Sequence, residues 1–234
     1  METTYDFKDG NGEVPAARHK NPDGSTGGWV AKTASVESTA FIRENAEVFG
    51  DAQVFGYARV YGNARVYGYA RVFGNAEVFG DARVYGNAEV FEYAEVSGNA
   101  EVYGGAVICE NMKVSFSRVK SDLTKRENLQ ENIKAQTGLI ALNNSVICFK
   151  QVNPDMSSLH DPKFFYKLHE YTEASNPDMS NVSCASGLHF SNATYWEKNA
   201  CDDSIYLMCK VELDDIITVQ EGKIRAKKCF VVEK

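Results

Sequence analysis

The chain has little histidine, little proline and almost no tryptophan: four, five and two among 234 residues. All four histidines, His19, His160, His169 and His189, fall outside the stretch 31–114 that dominates the sequence. That stretch can therefore supply neither an imidazole base nor a histidine cluster for a metal. No apolar run approaches the roughly 20 residues that a membrane-crossing helix needs, so no membrane association is expected. An excess of basic charge is also missing. The formal net charge is −7, which argues against broad nucleic-acid binding or adhesion to anionic lipid. The first residues, Met1-Glu2-Thr3-Thr4-Tyr5-Asp6, have neither the basic start nor the apolar stretch of a secretory signal, so a cytoplasmic location is expected. The six cysteines contain no Cys-x-x-Cys pair. In a reducing compartment they read as free thiols, mostly packed in the core. Cys184, His189, Cys201 and Cys209 could be arranged around zinc, but their spacing fits no common zinc module, and neither a metal nor a cofactor is expected.

What the chain does have is a six-residue period. Val or Ile recurs every six residues from Val36 to Val114, and Ala recurs two residues earlier each time from Ala34 to Ala106, with Met112 in the last place. From Ala31 to Val114 this makes 14 hexads without an insertion. A period of six is not helical, because 3.6 residues per turn would carry the valines around every side of the cylinder. It suits short strands, in which Ala64 and Val66 point inward while Arg65 points out. The Gly-Asn and Gly-Asp pairs between them, such as Gly62-Asn63 and Gly80-Asp81, are turn residues that tolerate positive φ. A strand and a corner repeated at fixed period make a solenoid.

Val60-Tyr61-Gly62-Asn63-Ala64 and its neighbours resemble the hexapeptide-repeat family, whose pattern is an aliphatic residue, turn residues, then a small residue at the fifth place. The resemblance implies a left-handed parallel β-helix with three hexads per coil, assembled as a homotrimer. The handedness comes from the resemblance alone, since ordinary parallel crossovers are right-handed. With 18 residues per coil, residues 18 apart should stack. Phe55, Phe73 and Phe91 form one expected ladder, and Phe49, Tyr67, Tyr85 and Tyr103 another. Arg59 falls beside Glu77, Arg71 beside Glu89, Glu47 beside Arg65 and Arg83 beside Glu101; Arg65–Arg83 and Glu77–Glu95 are like-charged exceptions. These rows either stabilise the stack only or form a subunit interface. The core column of Val and Ala leaves no room for a ligand.

The remaining segments read as an N-terminal cap over residues 1–30, the β-helix over 31–120, a linking helix over 121–138 and an α+β domain over 139–234. The chain is thus expected to be mainly β. Trp29, after Gly27-Gly28, reads as the cap over the first coil. Thr124 and Glu127 have capping-box spacing, and Gly138 is a stop signal. In the last segment, Val146–Phe149 and Ile205–Leu213 read as strands. Ile216–Val219 and Lys223–Val232 read as a hairpin turning at Glu221-Gly222. Asn153-Pro154-Asp155-Met156-Ser157 recurs as Asn176-Pro177-Asp178-Met179-Ser180, a turn signal. Cys184-Ala185-Ser186-Gly187-Leu188-His189-Phe190, followed by a short helix through Trp196, is similar to a small uncharacterised domain of phage repeat proteins, with which no activity comes.

The chemistry weighs against an enzyme. Acyltransferases of the hexapeptide-repeat family use a histidine on the coils, and the gamma-class carbonic anhydrases of that fold need three on zinc; both sets are absent. His189, with Ser186 and Cys184, is the one weak catalytic candidate, either as a base beside a nucleophile or as a half-buried core histidine. Gly187–Ser191 with Ala193 and Tyr195 is faintly similar to part of the ADP-ribosyltransferase pattern, without its glutamate motif. Lys223, Arg225, Lys227 and Lys228 make a basic strand face, read either as solvated or as a site for an anionic ligand. The function expected is a non-enzymatic oligomeric binding or scaffold protein. If the chain is phage-encoded, it would act in the host cytoplasm on host defence by sequestering a nucleotide-like molecule or a host protein. Candidate ligand residues are Arg59, Tyr61, Arg65, Arg71 and Arg83 on the coils, and Ser186, His189, Lys223 and Arg225 beyond them. The alternative is a transferase, acyltransferase-like on the coils or ADP-ribosyltransferase-like in the last domain.

Overall fold

The computed structural model describes residues 3–180, 185–198 and 203–234. The chain divides into two compact units, Met1–Glu131 and Asn132–Lys234. The division falls inside a helix, α1 (Leu129–Thr137).

The first unit is a parallel β-solenoid. Three ordinary strands open it: β1 (Thr4–Asp6), β2 (Glu13–Lys20) and β3 (Thr26–Ala31). Fifteen two-residue strands follow, β4 to β18, running from Ser35–Val36 to Arg118–Val119. They stack into three sheets, with every third strand adjacent: β4-β7-β10-β13-β16, β5-β8-β11-β14-β17, and β3-β6-β9-β12-β15-β18 extended by β2 and β1. From β3 to β14 each strand lies over residues 18 further on, as in Val54 over Val72 over Val90. From Ile42 to Val114 the inward aliphatic residues are completely buried. At about 1.5–3 kcal/mol for each buried Val, this single column dominates the stability of the unit.

Corners repeat as regularly as strands. Gly62 has φ +66°, and a Cβ there would lie 2.9 Å from the backbone nitrogen of Gly80, so a side chain would meet both torsional strain and the next coil. Two corners break the rule: Glu92, at φ +59°, and Glu110, at φ +56°, continue the row of Gly56 and Gly74. The Glu92 carboxylate accepts a hydrogen bond from the Glu110 backbone nitrogen at 2.7 Å.

The expected ladders form with the expected register. Phe55–Phe73 and Phe73–Phe91 stack at 4.7 and 4.8 Å between ring centroids. Phe49, Tyr67, Tyr85 and Tyr103 stack likewise. Arg65 also lies opposite Arg83, as the like-charged exception required.

Expectations at the two ends of the stack need correction. Trp29 is not a lid over the core. It pairs in register with Glu47, on the outer wall, while its neighbour Val30 lies over Val48. Its ring stacks on Tyr5 and lies under Arg18. The first coil is closed instead by polar side chains that satisfy its free strand edge. Asn21 accepts from Ile42 N at 2.9 Å, His19 Nε2 donates to Ala40 O at 3.1 Å and Arg18 donates to Glu44 O at 2.6 Å. Unmade hydrogen bonds at such an edge would be costly. Gly27 and Gly28 lie within β3. A Cβ on Gly28 would lie 2.1 Å from Ala46 O.

The repeat also outlasts its visible pattern. Strand β18 continues the stack with Val119 under Val102, one residue short of the regular spacing. Beyond it the expected capping box does not form. Thr124 bonds Asp122 through both its nitrogen and its hydroxyl. A 3₁₀ turn at Arg126–Asn128 precedes α1, which Gly138 ends at φ +72°.

The second unit holds two antiparallel sheets. The larger runs β19-β20-β23-β26-β21, with β19 Ala141–Leu142, β20 Ser145–Val152, β21 Tyr171–Glu173, β23 Ile205–Glu212 and β26 Lys228–Glu233. The smaller runs β22-β25-β24, with β22 Leu188–Phe190, β24 Ile216–Gln220 and β25 Lys223–Ala226. The expected hairpin is thus shorter than its apolar run. Its second arm stops at Ala226, and Lys228–Glu233 crosses to the larger sheet. Helix α2 (Ala193–Glu197) is capped by Asn192, whose side chain accepts from Tyr195 N. Trp196 Nε1 donates to Phe149 O at 2.7 Å, fastening α2 to β20. Cys148, Cys209 and Cys229 are core residues.

Candidate functional site

The coil arginines are held by the ladder. Arg65 Nε lies 2.9 Å from Glu47 and Arg71 2.7 Å from Glu89; Arg59 and Arg83 reach Glu77 and Glu101 at 3.5 and 3.8 Å. Arg65 and Arg71 also lie over the aromatic rows. Tyr61 donates to Glu77 at 2.7 Å, and burial together with that carboxylate raises its phenol far above the ordinary value. Each exposed pair contributes at most about 1 kcal/mol. Arg59 and Tyr61, with Phe41 and Arg43, border a surface recess of about 360 Å³. Arg65, Arg71 and Arg83 do not line it.

A different assembly of charge lies in the second unit. Strand β20 alternates, so Val146, Cys148, Lys150 and Val152 share a face. The three apolar residues are buried, and Lys150 is 6% exposed among them. A lysine on that parity must carry its ammonium through the core layer. It reaches a cavity of about 450 Å³ lined also by Ser158, His160, Asp161, Phe164, Tyr166, Ser186 and His189. Its Nζ is 5.7 Å from the Trp196 ring centroid. Burial lowers the Lys150 amine to about 8, the charged form being poorly solvated there.

The smaller sheet brings in the rest. His189 on β22 pairs across from Arg225 on β25. Arg225 is 2% exposed. It donates to the backbone oxygens of Ser186, at 3.4 Å, and Ser180. Its Nε and the Nε2 of His189 are both buried without a hydrogen-bond partner. Desolvation, then the positive charges of Lys150, Lys223 and Arg225, depress the His189 imidazole to about 4, so it is neutral at physiological pH. Lys223 is paired with Glu221 at 3.3 Å and only 13% exposed in its side chain. The basic strand face is therefore not a solvated one at Arg225 or Lys223. Among the described residues, neither Lys150 nor Arg225 has a carboxylate within ion-pair distance. Among the described residues lining the cavity, Asp161 is the single acidic one.

Of the residues singled out in the sequence, Ser186 and His189 line this cavity and Arg225 supports it. Ser186 does not engage the imidazole; its hydroxyl donates to Asn176 O at 2.7 Å. Cys184 and Cys201, the other members of the nucleophile and zinc sets, lie outside the described residues, and Cys209 is in the core. Glu221 sits at the tip of the β24–β25 hairpin with φ +52°.

Lys150 was not anticipated. Ending the predicted strand at Phe149 hid its parity, although 146, 148, 150 and 152 are the inward positions of the full strand. Among the described residues no helix is long and apolar enough to cross a membrane.

Residues 58–74 match the YdcK Beta solenoid repeat family. No curated protein and no solved structure matches the chain. The segment 58–74 spans Ala58 to Gly74, one residue short of a full coil of the stack, so it is the repeat of the first unit that is similar to this family.

Proposed function

We propose that this chain is a non-enzymatic binding protein whose second unit takes an anionic small molecule, nucleotide-like in combining negative charge with a planar body. Buried cations without carboxylate partners carry the reading. Lys150 is almost wholly buried and lines a cavity large enough for such a ligand, and Arg225, also buried, stands opposite the lining residue His189; buried charge is retained at a cost that a bound counter-charge offsets. Phe164 and Tyr166, packed edge to face at 5.4 Å, offer the cavity an aromatic wall.

The solenoid serves as the assembly module. The left-handed, trimeric form of the hexapeptide-repeat proteins is the arrangement proposed for it, with an aromatic row such as Phe55-Phe73-Phe91 at the contact. In a phage-encoded setting, sequestering a nucleotide-like signal would blunt a host defence.

The test is a heat-stability screen of the full chain against inorganic phosphate and nucleotides, alongside mass spectrometry of small molecules released on denaturation. Stabilisation by phosphate-bearing compounds that Lys150→Met removes is the expected result. No stabilisation and an empty extract would defeat the reading. Mass in solution decides the trimer.

A further inference from the structure

Resting on that anion-binding reading, we propose that Lys150 captures its ligand covalently, forming an imine with a small aldehyde or ketone that also carries a carboxylate or phosphate. A pocket built only to attract an anion is better served by a guanidinium, which stays charged and binds in two places. This one presents an amine instead. Lys150 is buried on the same strand face as Val146, Cys148 and Val152 and lines the cavity, with no carboxylate among the described residues to hold its proton. Lys223 adds a positive charge that acts on the Lys150 amine and further disfavours its protonated form.

Burial favours the reactive form. With its amine lowered to about 8, roughly one Lys150 in ten is neutral at pH 7, against on the order of one in three thousand for an ordinary lysine. The neutral nitrogen adds its electron pair to the carbonyl carbon. The carbonyl oxygen gains a proton as the nitrogen loses one, and the resulting carbinolamine expels that oxygen as water to leave C=N. His189, neutral and lining the same cavity, is the neighbouring group that relays the proton. Amine plus carbonyl gives imine plus water, with nothing oxidised or reduced.

The experiment treats the full chain with glyoxylate or with pyridoxal phosphate, reduces with borohydride and maps the adduct by peptide mass. One adduct per chain is expected, at Lys150, formed at least about tenfold faster than on any exposed lysine, with a rate that rises through pH 8 rather than pH 10. Inorganic phosphate should compete. Lys150→Arg should lose the adduct yet keep stabilisation by phosphate; mapping of the unaltered chain stands by itself if that variant does not fold. Label spread over exposed lysines with Lys150 unmodified overturns covalent capture. If phosphate still stabilises the chain in that case, the anion site survives without the imine; if it does not, both readings fall.

Discussion

His189 and Arg225 face each other across the β22–β25 ladder, a neutral imidazole opposite a buried guanidinium. Folding places them side by side, and neither has an acidic partner among the described residues. The cost of that arrangement should be readable as a pH dependence of stability. The folded imidazole titrates at about 4, below the ordinary value near 6.5. Between those values the unfolded chain binds the extra proton, so stability is full above pH 6.5 and is lost as pH falls toward 4. Urea titrations between pH 7 and 4 should show a decline on the order of 2–3 kcal/mol from this residue, and His189→Gln should flatten it. An unchanged profile in the variant would place the titration elsewhere.

An anion in the cavity should reverse the depression at Lys150. Its amine, lowered to about 8 by burial, is partly neutral in the empty site and charged beside a bound phosphate, so binding takes up a proton. Affinity for phosphate should therefore weaken as pH rises from 8 to 10. Calorimetry in two buffers of different ionisation heat measures the uptake directly.

Replacing Arg225 should cost stability as well as binding. Arg225→Met removes the donors to Ser186 O and Ser180 O and leaves those carbonyls to find water. A loss of about 2–4 kcal/mol in denaturant unfolding is expected, larger than for Lys227→Met on the same run.

Two glycine-site substitutions should separate close approach from torsional strain. Gly28→Ala drives a methyl group into Ala46 O, 2.1 Å away, whereas Gly24→Ala meets open space at φ +82°. The first should lower the melting temperature by several degrees more than the second. Glu92→Gly works in the other direction. It relieves φ +59° at the loss of one exposed hydrogen bond, for a gain of about 1 kcal/mol.

The solenoid was legible because its period is uninterrupted: Val at every sixth position can share one axis only if the chain turns between strands. Register followed from the same count, which is why the Arg71–Glu89 pair and the Phe55–Phe73 stack could be named in advance. The ends were less legible, because they are closed by hydrogen bonds to specific backbone atoms. Nothing in the pattern ties Asn21 to Ile42 or Arg18 to Glu44. The second unit lacks any period. His189 and Ser186 stood out by composition, but the cavity they line also needs Lys150, thirty-nine residues before His189 in the chain, and only the pairing of strands brings such positions together.

A stack in which each strand leans on the one 18 residues later is counted in whole coils. Excising residues 59–76, from Arg59 to Ala76, would set Ala58 before Glu77 and bring Val78 under Ile42. Every remaining valine would still meet a valine, whereas losing a single residue in mid-stack would throw half the column out of step. Such a molecule can be lengthened or shortened in units of one storey, and its height is open to change in a way that the irregular domain after it is not.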